Sequence, residues 1–364
     1  MEKLSSKLSV RQLSLFFFVL CPLSKLLVLP SMMFYVTLRD AYLVVLIWGV
    51  VDIIFLTLLI NMMSKTNLSV SKIIEICVGK VGSRVVVGLY GLLFVLKSLV
   101  MAMEESDLSM SIIYEGTGRI IAVLPIFLVL AYAGVATVNS SFRTVELFAP
   151  FVIGAGIVIL FLGITATNLS EIFPILEFGG NPIAKGVLGF AFWFGDFIII
   201  IPLLNDIRLQ RKFRAKIIGS YAVNVAIVAV FFVVIIGVFG VLAPRQLFFI
   251  SKISRYSVTF SSVGRVDFIF LCALILGMIL WCACLFMLGI NCLSIATGIK
   301  RAYLTVPIVV ASFAFLMLSH HKISQTMEFV IQFVSYFAIL MQYVVPIFIM
   351  IMFKSLQKRG LNYG

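Results

Sequence analysis

Charged residues are scarce in this chain: only 12% of its 364 residues are Asp, Glu, Lys or Arg, whereas 62% are apolar. Its mean hydropathy of +1.19 lies far above that of a water-soluble domain. So little polar surface excludes a large soluble catalytic domain. The sequence instead predicts an all-α integral membrane protein, in which each spanning helix needs about 20 apolar residues.

Residues that build metal and catalytic sites are also few and dispersed. The two histidines, His320 and His321, are adjacent in a short predicted external loop, and four of the six cysteines fall within one predicted span. No pair of cysteines lies in external loops, so we expect buried free thiols rather than disulfides. Phosphate-binding glycine loops and the H-E-x-x-H and G-x-S-x-G motifs are missing from the sequence. We expect no metal site, no cofactor and no enzyme activity.

Long apolar runs bounded by charged or turn residues make up most of the chain. No linker or low-complexity tract divides them, so we predict a single transmembrane domain over residues 1–364 with ten spanning helices. The predicted spans are Val10–Val36, Ala41–Met63, Val85–Met103, Ile120–Val138, Leu147–Thr167, Val187–Leu204, Ile217–Ala243, Phe268–Ala296, Val306–Leu318 and Phe329–Phe353.

The distribution of Lys and Arg predicts the orientation. With both termini in the cytoplasm, the cytoplasmic segments hold 18 of these residues and the external segments hold 8. Cytoplasmic loops of membrane proteins are enriched in positive charge, so both termini are predicted to be cytoplasmic. The net charge of +13 then reflects topology and contact with lipid headgroups rather than a nucleic-acid partner.

Two predicted spans are interrupted near their middle. In the first, Cys21, Pro22, Ser24 and Lys25 break the apolar run, because proline lacks an N–H and crowds the carbonyl four residues earlier. In the sixth, the break is at Trp193, Phe194, Gly195 and Asp196, where glycine is free to leave helical geometry. Irregular backbone cannot face lipid, so both breaks are predicted to line a cavity.

The spacing of the two breaks points to an internal repeat. Lys25 and Asp196 are 171 positions apart, which is close to half of the chain. Inverted-repeat transporters place broken helices at matching positions of two five-span halves, with the ligand site between them. We therefore predict a five-plus-five repeat, with repeat one at about 10–167 and repeat two at about 187–353. The residues named at the two breaks are the predicted ligand site.

With these features the chain resembles the B subunit of bacterial spore germinant receptors, a family of the amino acid–polyamine–organocation transporter superfamily. The resemblance covers nearly the whole chain. It rests on the ten predicted spans, the broken first and sixth helices, the run from Phe194 to Asp196, and the stretches Ser141–Pro150, Asn168–Gly186 and Gly264–Asp267.

The resemblance implies a protein of the spore inner membrane that binds a small nutrient, often an amino acid. It also implies two partners, a receptor A subunit and a lipoprotein C subunit. The family usually has small, glycine-rich residues in the unwound part of the first helix, whereas this chain has Pro22, Leu23, Ser24 and Lys25 there. Lys25 then either takes the place of a coupling cation or meets a ligand carboxylate.

Three further charged residues form a possible pathway: Asp52 and Lys97 lie within predicted spans, and Glu104 directly follows the third one. Lys97 and Glu104 are seven positions apart and so lie on one face of a helix. A rise of 1.5 Å per residue from Arg84 places Glu104 about 30 Å away, at the outer interface. A snorkelling lysine and a solvated acidic helix end are the alternative reading. Asp52 is nearer the middle of its span and is predicted to pair within the bundle.

Three functions remain open from the sequence. The first is a nutrient-binding receptor subunit on a transporter fold, the second an amino-acid or cation symporter of the same fold, and the third a scaffold that binds no small molecule.

Lys25 and Asp196 carry opposite charges at the two breaks, so we predict that they face each other as an ion pair or are bridged by the ligand's own charged groups.

The predicted topology is testable by labelling introduced cysteines. A thiol at Lys212 should be protected from an impermeant reagent added outside, while a thiol at Lys252 should react, because the 18 to 8 charge distribution places them on opposite sides. Reaction at residue 212 together with protection at residue 252 means that the orientation is inverted.

Overall fold

The computed structural model describes residues 8–66, 70–114, 116, 118–203, 213–249, 252–253, 267–318 and 330–358. Every regular element in these ranges is helical, which confirms the predicted all-α class for this part of the chain. His320, His321, Lys212 and the stretch Gly264–Val266 lie outside the described residues.

The first half of the chain begins with a segmented helix and continues with long ones. Ser9 caps the first helix by accepting a hydrogen bond from the Gln12 N–H, and the Gln12 side-chain oxygen accepts one from the Ser9 N–H. The elements are α1 (Val10–Leu15), a π-helix (Phe16–Leu20), one turn at Cys21–Leu23, α2 (Leu29–Thr37), a 3-10 turn (Leu38–Asp40), α3 (Ala41–Thr66), α4 (Val70–Ile112), α5 (Arg119–Val135) and α6 (Val138–Thr165).

The second half repeats the alternation of short and long helices. Its elements are a 3-10 turn (Leu169–Ile172), α7 (Gly180–Gly189), two 3-10 turns (Ala191–Trp193 and Asp196–Ile199), α8 (Ile200–Leu203), α9 (Phe213–Phe239), a 3-10 helix (Gly240–Arg245), α10 (Asp267–Thr297), α11 (Arg301–Leu318), a π-helix (Val330–Val334), α12 (Ser335–Ile339), a second π-helix (Leu340–Val344) and α13 (Val345–Lys358).

Seven of the described helices are long and apolar enough to cross a membrane. An eighth is obtained if the pair Gly180–Gly189 and Ala191–Leu203, bent by 55° relative to each other, counts as one span. Two further apolar helices, Val10–Leu23 and Arg119–Val135, are shorter. Helix is present in each of the ten predicted spans, and the chain is a multi-pass membrane protein.

The third predicted span is part of a much longer helix. Val85–Met103 was the predicted apolar run, whereas α4 extends from Val70 to Ile112 with one non-helical residue, Gly79, at φ 76° and ψ 171°. The helix is kinked at Gly79, and residues on its N-terminal side, such as Ile73 and Ile74, are also buried. The extension at the other end carries the acidic residues Glu104 and Glu105 into the interior, where both are fully buried.

The most extensive helix contact joins α4 to α10. Every side chain of α10 from Leu280 to Cys292 is buried, which makes it the central helix of the bundle. Two glycines allow the close approach: a Cβ on Gly91 would lie 3.0 Å from the Gly289 carbonyl oxygen, and a Cβ on Gly289 would lie 3.0 Å from that of Gly91. The α4–α10 pair is the scaffold against which the broken segments pack.

The cysteines agree with the sequence prediction except at one position. All six are free, and five of them are buried. Cys272 is exposed, so the expectation of a buried thiol is wrong there. It lies in the first part of α10, before the fully buried stretch that begins at Leu280.

The contact between α4 and α10 predicts opposite results for two glycine substitutions. Gly289→Ala should lower the melting temperature, because its Cβ meets backbone atoms and overpacking of this kind costs roughly 1–3 kcal/mol. Gly219→Ala in α9 is the control: its Cβ meets nothing within 4 Å, and alanine is the better helix former. Thermal unfolding of both variants in one detergent decides between them. Equal melting temperatures contradict the close packing.

Candidate functional site

The first helix break begins directly after the turn that contains Pro22. Residues from Ser24 to Val28 lie outside the regular helices, and all but Val28 are buried. Side chains take over part of the hydrogen bonding: the Cys21 carbonyl accepts from Ser24 Oγ at 2.8 Å and from Lys25 Nζ at 3.1 Å. The break is therefore enclosed by protein, as irregular backbone within a membrane must be.

The second break is centred on Gly195. This residue has φ 72° and ψ 23°, in the left-handed region that favours glycine. An added Cβ would also lie 2.5 Å from the Gln342 side chain. Every residue from Phe190 to Ile200 is buried. The predicted departure of Gly195 from helical geometry is confirmed, and its backbone conformation favours glycine there.

A buried ion cluster joins the two breaks. Lys25 Nζ donates to Asp196 Oδ2, which confirms the predicted ion pair. Lys97 from α4 donates to the other oxygen, Asp196 Oδ1, at 3.1 Å and to the Phe194 carbonyl at 2.6 Å. One carboxylate thus holds two ammonium groups, and all three side chains are at least 96% buried. Sequence reasoning placed Lys97 with Glu104 on a pathway and missed its bond to Asp196.

Asp52 secures the second break from the opposite side. Its Oδ2 accepts from the Gly195 N–H at 3.0 Å and from the Tyr221 hydroxyl at 2.6 Å, and its Oδ1 accepts from the Tyr343 hydroxyl at 2.6 Å. The prediction that Asp52 pairs within the bundle is confirmed, although its partners are uncharged donors. Neither tyrosine was identified from the sequence, since nothing in their flanking residues distinguishes them from packing aromatics.

Glu104 was predicted to lie at the outer interface, at a solvated helix end. The structure places it elsewhere. Its side chain is fully buried, accepts from Trp193 Nε1 at 3.0 Å, and lies 3.5 Å from the Val28 N–H of the first break. The prediction was wrong because α4 continues to Ile112, about two turns beyond Glu104. Both predicted pathway residues of α4 therefore contact the broken segments.

A small cavity lies between α4, α10 and the two breaks. Its volume is about 10 Å³, and its lining includes Lys97, Glu104, Trp193, Trp281 and Ser24. The Trp281 indole N–H has no hydrogen-bond acceptor of good geometry among the described residues, although the weakly accepting Cys21 thiol lies near it. Nothing in the residues around Trp281 distinguishes it in the sequence from a packing tryptophan. Burial of its N–H without a strong acceptor is what distinguishes it in the structure.

Aromatic rings cover the ion cluster on the side of α3. Trp48 stacks on Tyr343 with ring centroids 4.9 Å apart and on Phe194 at 6.0 Å. Its indole N–H donates to the Val187 carbonyl at 3.0 Å. Stacking of this kind adds packing energy beyond simple burial and fixes the orientation of the rings. Trp48 thereby holds Phe194, whose carbonyl binds Lys97, in position.

The charged and polar groups that meet at the two breaks are of mixed sign. Within the described ranges, no three His, Cys, Asp or Glu side chains are placed to hold a metal ion. The groups that converge at the breaks are two ammonium groups, three carboxylates and an indole N–H. Such groups recognise a small polar molecule through hydrogen bonds and charge.

Comparison with protein families agrees with this architecture. A family model described as spore germination protein matches residues 7–326. The matched range includes both helix breaks and the whole ion cluster, and it ends before the helices that carry Tyr343. A search of curated proteins gives no match.

Because Asp196 holds two lysines, its removal should be more damaging than removal of either lysine. Asp196→Asn leaves two buried ammonium groups without their carboxylate, and an uncompensated buried charge typically costs ~3–5 kcal/mol. Lys25→Met and Lys97→Met each leave Asp196 one partner and should destabilise less. Replacing all three residues should restore abundance relative to Asp196→Asn. Abundance and thermal unfolding measure these effects.

Lys80→Met is the matched control, since Lys80 is an exposed lysine of α4, the helix that carries Lys97. It should leave both measurements unchanged. The ion cluster is contradicted if the Lys25 and Asp196 substitutions act independently, with a double-mutant coupling below ~0.5 kcal/mol.

Proposed function

Because the chain belongs to the spore germination protein family, of the amino acid–polyamine–organocation transporter superfamily, we propose that it is the nutrient-binding subunit of a spore germinant receptor. Its ligand is a small nutrient of the amino-acid class. It signals through an A-type subunit and a lipoprotein C-type subunit, and it resides in the spore inner membrane with both termini in the cytoplasm.

The proposed architecture is ten spans in a five-plus-five inverted repeat within one domain. The seven long helices, the bent pair and the two shorter apolar helices supply ten segments. Repeat one occupies about 10–167 and repeat two about 187–353. The two breaks support the repeat, because each places a charged residue of one half against the other half, Lys25 against Asp196.

The observation that carries the proposal is the set of unused polar groups around the cavity. An ammonium group has three N–H donors; Lys25 already makes bonds to Cys21, Ser24 and Asp196. Lys97 makes two, to Phe194 and Asp196, and so retains one donor. With the Trp281 indole N–H, two donors are available there for a ligand carboxylate.

Glu104 supplies the complementary group for the ligand's ammonium. It lines the same cavity as Lys97, and a carboxylate accepts up to about four hydrogen bonds, of which the Trp193 indole provides one at 3.0 Å. A cation at one side and an anion at the other match a zwitterion. This favours an amino acid over a sugar or a nucleobase as the nutrient.

The arrangement described is closed, because a cavity of about 10 Å³ is far smaller than an amino acid. Binding must therefore select or induce a more open state. The chain can bend at the two breaks without disrupting the hydrogen bonds of a regular helix. Ligand groups that take over bonds from the cluster then favour the open state, which gives the receptor a conformational signal.

A symporter for amino acids or cations is the second candidate function. It is suggested by the two helix breaks that meet at the ion cluster, an arrangement typical of inverted-repeat transporters, with the Lys25 ammonium pairing with Asp196 in the place of a coupling cation. A transporter opens its site to both sides in turn, whereas a receptor needs only one opening. Saturable binding without uptake into vesicles supports the receptor, and uptake supports the symporter.

A ligand screen by thermal stabilisation tests the proposal directly. The full chain in nanodiscs is heated with each member of a panel of L-amino acids. A compound present at ~100 times its dissociation constant should stabilise the folded state by about 2.7 kcal/mol. If no member of the panel stabilises the protein, the result favours a scaffold, the third function left open by the sequence.

Trp281→Phe should then weaken binding of the stabilising compound by roughly tenfold or more, because a hydrogen bond to a charged group contributes about 1.5–3 kcal/mol. The melting temperature without ligand should change little, since the ring is retained. Tyr90→Phe is the control, because it removes a buried hydroxyl that has no partner among the described residues and does not line the cavity. Equal affinities of the two variants contradict the proposed site.

A further inference from the structure

A second pocket lies beside the first break and differs from the cavity in size and chemistry. Its volume is about 150 Å³, and it is enclosed by the first helix, α6, α9 and α10. Residues that represent its four walls are Pro22, Leu26, Gly156, Phe231 and Leu274. All of its lining residues are apolar. A polar nutrient would lose its hydrogen bonds to water there without replacement, so this pocket does not suit the ligand of the proposed function.

The pocket is continuous with the surface that faces the membrane. Ile157, at its rim, is 63% exposed, as is Phe161 one turn further along α6. Since α6 is one of the helices long and apolar enough to span the membrane, large apolar side chains exposed on it contact lipid chains. A pocket that opens on this surface is reached from the hydrocarbon core of the bilayer.

We propose that this pocket binds one acyl chain of a membrane phospholipid. Water would find no polar partner in it. An empty pocket would deprive its walls of dispersion contacts that a flexible chain can restore. The acyl chain is the apolar molecule present at the mouth, and it enters without leaving an apolar environment.

The bound chain acts on the first helix break. Pro22, Leu23 and Leu26 form the inner wall of the pocket, and they flank Ser24 and Lys25, which bond within the ion cluster. Behind Leu23, a Cβ on Gly277 of α10 would lie 2.5 Å from the Leu23 side chain, so this segment has no room to retreat toward α10. An acyl chain on the other side holds the segment in the closed arrangement.

Two glycines of α6 provide a matched pair of variants. Gly156 lines the pocket and Gly154 does not, and a Cβ added at either one meets nothing within 4 Å. Gly156→Leu should therefore add a side chain to the pocket, starting from a Cβ that meets nothing, while Gly154→Leu adds the same side chain outside it. The comparison removes the general effect of a larger residue on α6.

Photo-crosslinking measures occupancy. The full chain is reconstituted in detergent-free nanodiscs of phosphatidylglycerol and phosphatidylethanolamine that contain a phospholipid with a diazirine in its acyl chain. Crosslinks should concentrate in peptides that contain Phe18–Leu26 and Val152–Leu160. Gly156→Leu should reduce them several-fold, and Gly154→Leu should leave them at the level of the unmodified chain.

Thermal unfolding adds a second measurement that does not depend on the nutrient. Phospholipid added to the delipidated chain should raise the melting temperature of the unmodified protein and of Gly154→Leu more than that of Gly156→Leu. Crosslinks spread evenly over all lipid-facing helices, or equal labelling in the two variants, would overturn the proposal. The proposal would also be overturned if a small apolar solute occupied the pocket and phospholipid could not displace it.

Discussion

Backbone groups released at the two helix breaks need hydrogen-bond partners inside the bilayer, and this requirement organises the centre of the protein. A spanning helix satisfies its own N–H and C=O groups, but each break frees several of them where water is absent. The side chains of Lys25, Lys97 and Asp52 bond the freed groups of Cys21, Phe194 and Gly195. The charges that are unusual within a membrane are thus explained by the irregular backbone that they stabilise.

Those charges in turn need one another and a rigid support. Asp196 forms ion pairs with both Lys25 and Lys97, while two tyrosine hydroxyls and a backbone N–H surround Asp52. Lys97 is presented by α4, whose close packing on α10 depends on glycine. Tyr343 lies in the π-helix Leu340–Val344, and π-helical turns of this kind are frequent at functional sites.

The same groups connect stability with the proposed function. A ligand that approaches Lys97 and Glu104 competes for bonds that now hold the two breaks together, so its binding and the geometry of the breaks are linked. On the other side of the first helix, the apolar pocket proposed for a lipid chain is lined by Pro22 and Leu23. The broken segment therefore lies between the polar cavity and the apolar pocket.

Sequence alone determined the class of protein, the position of both breaks and one of the central contacts. Long apolar runs have few physical solutions in a membrane, and opposite charges 171 positions apart at two helix breaks have few partners other than each other. The second lysine on Asp196, the tyrosines on Asp52 and the unpaired Trp281 were decided by tertiary structure. Their contacts depend on how each helix is rotated and how far it extends, which packing sets and local sequence does not. Glu104 illustrates the point: its charge predicts an aqueous helix end, whereas the length of α4 carries it into the core.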